Sequence, residues 1–113
     1  MSADTTKAGV VEVTDQTFAA EVEGAQGLVL VDFGAAWCGP CRMMDPAVKQ
    51  IAGDFAGRVK VAKVDTDANL QVSTRFNIRS LPTFLIFRDG KVVDQVIGAV
   101  ARQAIENKLT ALL

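Results

Sequence analysis

Residues 31-VDFGAAWCGPC-41 decide the fold of this chain. The stretch begins in an apolar segment typical of a strand and ends where a helical pattern starts. It holds both cysteines of the chain, Cys38 and Cys41, two residues apart. At a helix N-terminus, unpaired backbone N–H groups and the helix dipole favour a thiolate over a thiol. The stretch therefore predicts two sulfurs within bonding distance of each other, the arrangement of a reversible two-electron redox pair.

The composition is that of an ordinary soluble protein with one domain. The chain has 113 residues, of which 50% are hydrophobic and 22% are charged, and its net charge is −1. This charge offers no electrostatic basis for binding nucleic acid or an anionic membrane. No apolar run approaches the roughly 20 residues of a membrane helix. We therefore expect no nucleic-acid partner, no membrane partner and a monomer.

The first residues differ in character from the rest of the chain. Residues 1–9 are polar and small, without the hydrophobic core of a secretion signal. We expect a flexible tail at 1–9, a single domain at 10–113 and a cytoplasmic location. A processed form of a secreted or organellar protein stays open as an alternative. In a reducing compartment, a Cys-x-x-Cys pair is more often catalytic or metal-binding than a permanent crosslink.

The pattern beyond the cysteines predicts the element order βαβαβαββα. The predicted strands are Val10 to Val13, Leu28 to Phe33, Val59 to Asp65, Thr83 to Phe87 and Lys91 to Ile97. The predicted helices are one capped by Thr14 or Asp15, one carrying Met44, Val48, Ile51 and Phe55 on one face, one from Ala68 to Phe76, and one from Ala101 to Leu112. Asp89-Gly90 predicts a hairpin between the last two strands. These elements indicate an α/β fold with a central mixed sheet of five strands flanked by four helices.

Three interpretations compete for Cys38 and Cys41. A zinc site needs about four ligands, and the chain has two cysteines and no histidine. A structural disulfide would close so small a loop that it would constrain the unfolded chain little. A redox pair accounts for the spacing, the helix start and the compartment together. We therefore favour the redox pair, with no metal and no bound cofactor other than a Cys38–Cys41 disulfide.

The two residues between the cysteines fit this interpretation. Pro40 in the first turn of a helix costs no hydrogen bond, and Gly39 leaves room for a substrate to approach. We expect Cys38, at the mouth of the helix, to be exposed, acidic and the attacking sulfur. We expect Cys41, one turn further on, to be shielded and to resolve the mixed disulfide.

Taken together, the motifs of the chain resemble those of the thioredoxin family. They are Val31-Asp32-Phe33, Trp37-Cys38-Gly39-Pro40-Cys41, Pro46, Lys63-Val64-Asp65, Arg79-Ser80-Leu81-Pro82-Thr83 and Gly98-Ala99. The resemblance extends from about Val10 onward. It implies the thioredoxin fold and a protein-disulfide reductase in which Cys38 is the nucleophile and Cys41 the resolving thiol. It further implies that Asp32 is a buried carboxylate behind them, with Lys63 close to it.

The resemblance also implies a surface where substrate proteins dock. Pro82 would be a cis-proline facing the disulfide, and Leu81 would offer its backbone N–H and C=O to an extended substrate segment. The other residues implied to shape this surface are Trp37, Gly39, Pro40, Ile97, Gly98 and Ala99. The implied partners are disulfide-containing proteins and a separate thioredoxin reductase, either an NADPH-dependent flavoprotein or a ferredoxin-linked enzyme.

Three of these residues have an interpretation that is independent of the resemblance. Burial in an apolar strand should raise the pKa of Asp32. Asp32 could then take a proton from Cys41 through water. A simple ion pair with Lys63 is the alternative. Pro82 by itself is compatible with a strand edge. Trp37 could be core, but beside a reactive sulfur it is better explained as a partly exposed contact.

The chain departs from the family pattern at two positions. Where the family usually places a tryptophan, this chain has Gly34, so we expect a void or a repacked region beside the cysteines. Either a looser, less stable site or a wider substrate groove would follow. Asp45 stands where relatives often carry a small apolar residue, and we expect it to face solvent and pair with Lys49 one helical turn on.

Two other functions remain possible from the sequence. The first is a binding module that uses this fold as a scaffold, to which Gly34 gives some weight. The second is an oxidase or isomerase, but such relatives tend to carry histidine or another polar residue between the cysteines. Gly39-Pro40 therefore favours a reductase.

Overall fold

A computed structural model describes residues 9–113, and residues 1–8 of the predicted flexible tail lie outside the described residues. The strands are β1 (Val10–Glu12), β2 (Leu28–Gly34), β3 (Val59–Asp65), β4 (Thr83–Arg88) and β5 (Lys91–Ile97). The helices are α1 (Ala19–Glu23), α2 (Gly39–Asp54), α3 (Leu70–Arg75) and α4 (Arg102–Leu112). The predicted element order is confirmed.

The five strands form one mixed sheet in the order β1-β3-β2-β4-β5. β1, β3 and β2 are parallel, because a helix joins each to the next along the chain. β4 is antiparallel to β2, and β5 is antiparallel to β4. Asp89 and Gly90 both have positive φ at the predicted hairpin, the conformation that a two-residue turn of this kind requires.

Alternation along the central strand β2 supplies a hydrophobic core on each face of the sheet. Leu28 and Leu30 pack with α2 and α4, whereas Val29, Val31 and Phe33 pack with α1 and α3. Since side chains alternate with a period of two, Asp32 and Gly34 lie on the α2 face. The strand thus places a carboxyl group and a position without a side chain beneath the first turns of α2.

The first helix differs from its prediction. α1 is one wide turn, in which the Gly24 N–H donates to the Ala19 carbonyl five residues earlier. No side chain caps it. The Asp15 carboxylate instead accepts hydrogen bonds from the Val72 N–H (2.9 Å) and the Gln71 N–H (3.3 Å). Asp15 therefore caps α3, a helix that lies far from it in the sequence but within hydrogen-bond distance in the fold.

Candidate active site

The cysteines lie at the start of α2, immediately after the loop that leaves β2. Cys38 is the N-cap residue, with extended backbone, and its Sγ accepts a hydrogen bond from the Cys41 N–H at 3.2 Å. Pro40 lies in the first turn, where it displaces no intrahelical donor. Cys38 and Cys41 form a disulfide with their Cα atoms 5.3 Å apart. The helix start therefore places the Cys38 sulfur against a backbone N–H of its first turn.

The prediction that Cys38 is exposed is wrong for this oxidised form. Cys38 is 4% exposed and Cys41 is 5% exposed, so burial does not distinguish them. The cause is local packing, because both cysteines form a small cluster with Ala35 and Leu81. The two differ in the pocket that each lines: Cys38 borders one pocket and Cys41 borders another.

The pocket beside Cys38 is a groove of about 490 Å³. Its lining residues are Trp37, Cys38, Gly39, Pro40, Thr66, Ile78, Arg79 and Leu81. Trp37 is 68% exposed, and its indole N–H donates a hydrogen bond of 2.7 Å to the Asp67 carboxylate. The groove thus has an apolar, exposed wall whose orientation is fixed by a charged acceptor.

The loop before β4 forms the opposite wall of the groove. The Leu81–Pro82 peptide bond is cis, as the resemblance implies. Within residues 9–113, the backbone N–H and C=O of Leu81 have no hydrogen-bond partner. The Pro82 carbonyl accepts from the Gly98 N–H at 2.7 Å, which joins this loop to the end of β5. Gly98 and Ala99 therefore lie beside the cis-proline loop but do not line the groove itself.

Asp32 lies behind the disulfide and is 2% exposed. Its Oδ1 is buried with no hydrogen-bond partner among the described residues. Burial raises the pKa of Asp32 to about 7, with the charge of Lys63 opposing and the charge of Asp45 adding to the effect. At neutral pH this carboxyl group therefore exchanges readily between its charged and neutral forms.

The predicted ion pair between Asp45 and Lys49 is wrong. Asp45 pairs with Lys63 instead. The Lys63 ammonium donates to Asp45 Oδ1 at 3.0 Å. Both side chains are about one-third exposed, so their charges are less screened than those of a helix-surface pair. Partial burial lowers the pKa of Lys63, but the hydrogen bond and charge of Asp45, with the charges of Asp32 and Glu12, outweigh this and raise it.

Gly34 lies directly against the resolving side of the disulfide. A Cβ atom at this position would lie 3.2 Å from Cys41 Sγ and 3.8 Å from Asp32 Oδ1. A pocket of about 310 Å³ occupies the space in front of it. Its lining residues are Glu12, Gly34, Ala35, Ala36, Cys41, Arg42, Asp45, Lys63 and Asp65. The expected vacancy is therefore present, and it shares no lining residue with the groove beside Trp37.

The sequence interpretation missed Asp67, which fixes the orientation of Trp37. A signal for it existed, because β2 and β3 are adjacent and parallel and their carboxyl ends meet at one edge of the sheet. Residues that follow β3 therefore lie beside the loop that precedes α2. The same reasoning places Thr66, whose N–H and hydroxyl both donate to the Gly34 carbonyl.

Neither a metal centre nor a membrane span is found in the part of the chain that the structure describes. Residues 9–113 contain no group of three or more potential ligands close enough to hold a metal ion. Within the same range, no helix is both long enough and apolar enough to cross a membrane.

A disulfide that caps a helix on a five-stranded mixed sheet, with a buried carboxyl group behind it, defines a thiol-disulfide oxidoreductase. Comparison with known proteins gives the family. The family model described as Thioredoxin matches residues 9–111. Thioredoxin 1 of Synechococcus elongatus is 52% identical over 97 residues, which cover 86% of this chain and 91% of that protein.

Two further relatives agree with this. Thioredoxin 1 of Nostoc sp. is 50% identical over 98 residues, covering 87% of this chain and 92% of the relative. Thioredoxin 2 of Chlorobaculum tepidum is 47% identical over 98 residues, which cover 87% of this chain and 90% of the relative. The chain belongs to the thioredoxin family, and it is a protein-disulfide oxidoreductase with a redox-active Cys38–Cys41 pair.

Proposed function

We propose that Cys38 is the nucleophile of a protein-disulfide reductase and that Cys41 is its resolving thiol. The observation that carries this assignment is the position of Cys38 as the N-cap of α2, at the rim of the groove beside Trp37. The N–H groups and dipole of the helix lower the pKa of a thiol placed there. Cys41 lies one turn inside and borders the opposite pocket.

The reaction proceeds through two exchanges. The Cys38 thiolate attacks one sulfur of a substrate disulfide and forms a mixed disulfide, and the second substrate sulfur leaves as a thiolate. Cys41 then loses its proton and attacks the Cys38 sulfur, which releases the first substrate sulfur and closes the Cys38–Cys41 disulfide. Two electrons pass from the dithiol to the substrate.

Asp32 is the proposed acceptor of the Cys41 proton. The Cβ position of Gly34 lies within 4 Å of both Cys41 Sγ and Asp32 Oδ1, so the two groups surround one point. A pKa of about 7 suits a base that takes and returns a proton at neutral pH. Lys63 supports this transfer from a distance, because its charge favours the ionised form of Asp32.

Substrates are proposed to dock as an extended segment along Leu81 and Pro82. The free backbone N–H and C=O of Leu81 fit pairing with a strand-like segment. The other residues proposed to contact this segment are Trp37, Gly39, Pro40, Ile97, Gly98 and Ala99. Trp37 and Ile97 are among the most exposed apolar side chains of the described residues.

A separate thioredoxin reductase, either an NADPH-dependent flavoprotein or a ferredoxin-linked enzyme, is proposed to restore the dithiol. The chain is proposed to act as a cytoplasmic monomer with no other bound cofactor. A reducing compartment fits this cycle, because it returns the Cys38–Cys41 disulfide to the dithiol between substrates.

Reduction of insulin by the pre-reduced chain, with no external thiol present, tests the assignment of the two cysteines in a single turnover. Cys38→Ser is expected to abolish the reaction, whereas Cys41→Ser is expected to stop after one exchange and accumulate a mixed disulfide on Cys38 that mass spectrometry detects. Release of both insulin sulfurs as free thiols by Cys41→Ser, with no mixed disulfide on Cys38, would contradict the two-thiol cycle. A mixed disulfide on Cys41 in the Cys38→Ser protein, with none on Cys38 in the Cys41→Ser protein, would reverse the roles.

A further inference from the structure

The disulfide borders a second pocket, in front of Gly34, in addition to the groove beside Trp37. Cys41 lines this pocket and Cys38 does not, whereas Cys38 lines the groove beside Trp37 and Cys41 does not. The two cysteines of one disulfide therefore border different pockets. A side chain at position 34 would close the second pocket, because its Cβ would already contact Cys41 Sγ at 3.2 Å.

Two features of the pocket suit a ligand. Its volume of about 310 Å³ lies at the lower end of the roughly 300–1,000 Å³ found for small-molecule pockets. The Asp32 Oδ1 atom, buried and without a partner, lies only 3.8 Å from the Cβ position of Gly34. Asp32 does not itself line the pocket, so a molecule there lies against Gly34 and Cys41 with this buried carboxyl group close behind them.

We propose that this pocket admits small monothiols, which reduce the disulfide by attacking the Cys41 sulfur. The inference rests on the proposed cycle, since it supplies that cycle with a second source of electrons. In thiol–disulfide exchange, the attacking sulfur approaches opposite the leaving sulfur, and access decides which sulfur is attacked. Cys41 lines this pocket and Cys38 does not, so a thiolate in the pocket attacks the Cys41 sulfur and Cys38 is the leaving group.

The exchange balances with two molecules of monothiol. The first thiolate forms a bond to Cys41 Sγ, the Cys38–Cys41 bond breaks, and Cys38 leaves as a thiolate. A second thiolate attacks the sulfur of the bound monothiol, which releases a small disulfide and the Cys41 thiolate. Two thiols have been oxidised, and the protein disulfide has gained two electrons.

The charges around the pocket select among thiols. Its wall carries three carboxylates, Glu12, Asp45 and Asp65, against two cations, Arg42 and Lys63. Lys63 is already engaged by Asp45. A thiol with a carboxylate of its own is therefore disfavoured, and the pocket fits neutral or zwitterionic monothiols.

The test traps the first adduct. The oxidised full chain is mixed with 2-mercaptoethanol and quenched with acid within milliseconds to seconds, and peptide mapping locates the mixed disulfide. We expect adduct on Cys41 in the natural chain. In Gly34→Ala, whose methyl group obstructs the sulfur, Cys41 adduct is expected to fall at least tenfold while Cys38 adduct is retained.

Gly53→Ala is the matched control, because its new Cβ meets nothing within 4 Å and it lies at the far end of the same helix. It is expected to give the adduct pattern of the natural chain. Ala36→Phe, at an exposed position of the pocket wall, is a second obstruction if Gly34→Ala folds poorly. Mercaptoacetate is expected to give at least threefold less Cys41 adduct, relative to Cys38 adduct, than 2-mercaptoethanol.

Adduct on Cys38 alone in the natural chain would overturn the inference, as would a Cys41 adduct that Gly34→Ala and Ala36→Phe leave unchanged. An equal share of Cys41 adduct with mercaptoacetate would overturn the assignment to uncharged thiols. Insulin reduction by the same preparations separates this from the proposed function, because a chain that reduces insulin through Cys38 but shows no Cys41 adduct refutes the inference alone.

Discussion

Asp32 and Lys63 are register partners on the neighbouring parallel strands β2 and β3, yet the Lys63 ammonium donates its hydrogen bond to Asp45. Asp32 therefore receives only the through-space charge of Lys63, while its Oδ1 stays without a hydrogen-bond partner among the described residues. This arrangement keeps the carboxyl group close to its midpoint of ionisation at neutral pH. Several measurable properties depend on it.

The stability of the oxidised protein is expected to fall as pH rises from about 4 to about 7. Asp32 has a pKa of about 7 in the folded chain and an ordinary low value when unfolded, so the folded state holds the extra proton in this range. Each pKa unit is worth about 1.4 kcal/mol. Asp32→Asn removes this contribution. The free energy of unfolding of Asp32→Asn minus that of the natural chain should therefore rise by on the order of 2–3 kcal/mol between pH 5 and pH 8.

Urea unfolding of both proteins at the two pH values measures this difference. A constant difference across the range would show that Asp32 ionises in the folded chain as an ordinary exposed carboxyl group does.

Lys63 and Asp45 are expected to move the pKa of Asp32 in opposite directions. Lys63→Met removes a positive charge and should raise the pKa of Asp32 above about 7, whereas Asp45→Asn removes a negative charge and should lower it. Carbon-13 NMR of the Asp32 carboxyl group during a pH titration reports both. Lys49→Met serves as the control, because Lys49 has no ion-pair partner within residues 9–113 and should leave the titration unchanged. Shifts of the same sign in the first two variants would contradict this electrostatic account.

The Asp67 carboxylate is expected to hold Trp37 in the orientation that substrates meet. Asp67→Ala should leave the free energy of unfolding within about 1 kcal/mol, because the bond is exposed. It should lower the steady-state fluorescence anisotropy of Trp37, the only tryptophan, and raise the KM for insulin a few-fold. Asp67→Asn keeps an acceptor oxygen and should restore most of both properties. Equal KM values for the natural chain and Asp67→Ala would show that the orientation of Trp37 does not affect the docking of substrates.

Asp15 is expected to stabilise α3, although it lies more than 50 residues before it. Asp15→Ala leaves two N–H groups of the helix start without a side-chain acceptor and should cost about 1–2 kcal/mol of unfolding free energy. Asp15→Asn retains an acceptor and should cost less than half of that. Chemical denaturation at pH 7 gives both values, and a loss as large for Asn as for Ala would attribute the effect to the charge of Asp15 rather than to capping.

Much of this fold follows from patterns that act over a few residues. The apolar run from Leu28 to Phe33, the helical stripe through Val48 and the Asp89-Gly90 turn each define their element locally, and the structure confirms them within one to three residues. Asp32 could be identified from the sequence, because burying a lone carboxyl group in an apolar strand costs free energy and therefore indicates a function. The disulfide pair followed from spacing and its place before a helix.

The parts that sequence reasoning missed depend on distances between elements. Asp45 could meet Lys49 on its own helix or Lys63 from the sheet, and only the distance between α2 and β3 decides between them. Asp15 could cap either α1 or α3, and its distance from the start of α3 likewise decides between them. The burial of Cys38 reflects Ala35 and Leu81 packing against it across the site. None of these choices leaves a periodic signal in the chain.

The most direct test of the account is the rate of iodoacetamide alkylation of each cysteine in the reduced chain as pH is varied, resolved by peptide mapping. Cys38 is expected to react first, with an apparent pKa at least one unit below the roughly 8.5 of a free cysteine. Cys41 should lag at least tenfold at pH 7, because the partly charged Asp32 opposes a second negative charge beside it. Equal rates for both thiols, each titrating as a free cysteine does, would contradict the assignment of Cys38 as the nucleophile and Cys41 as the thiol held in reserve.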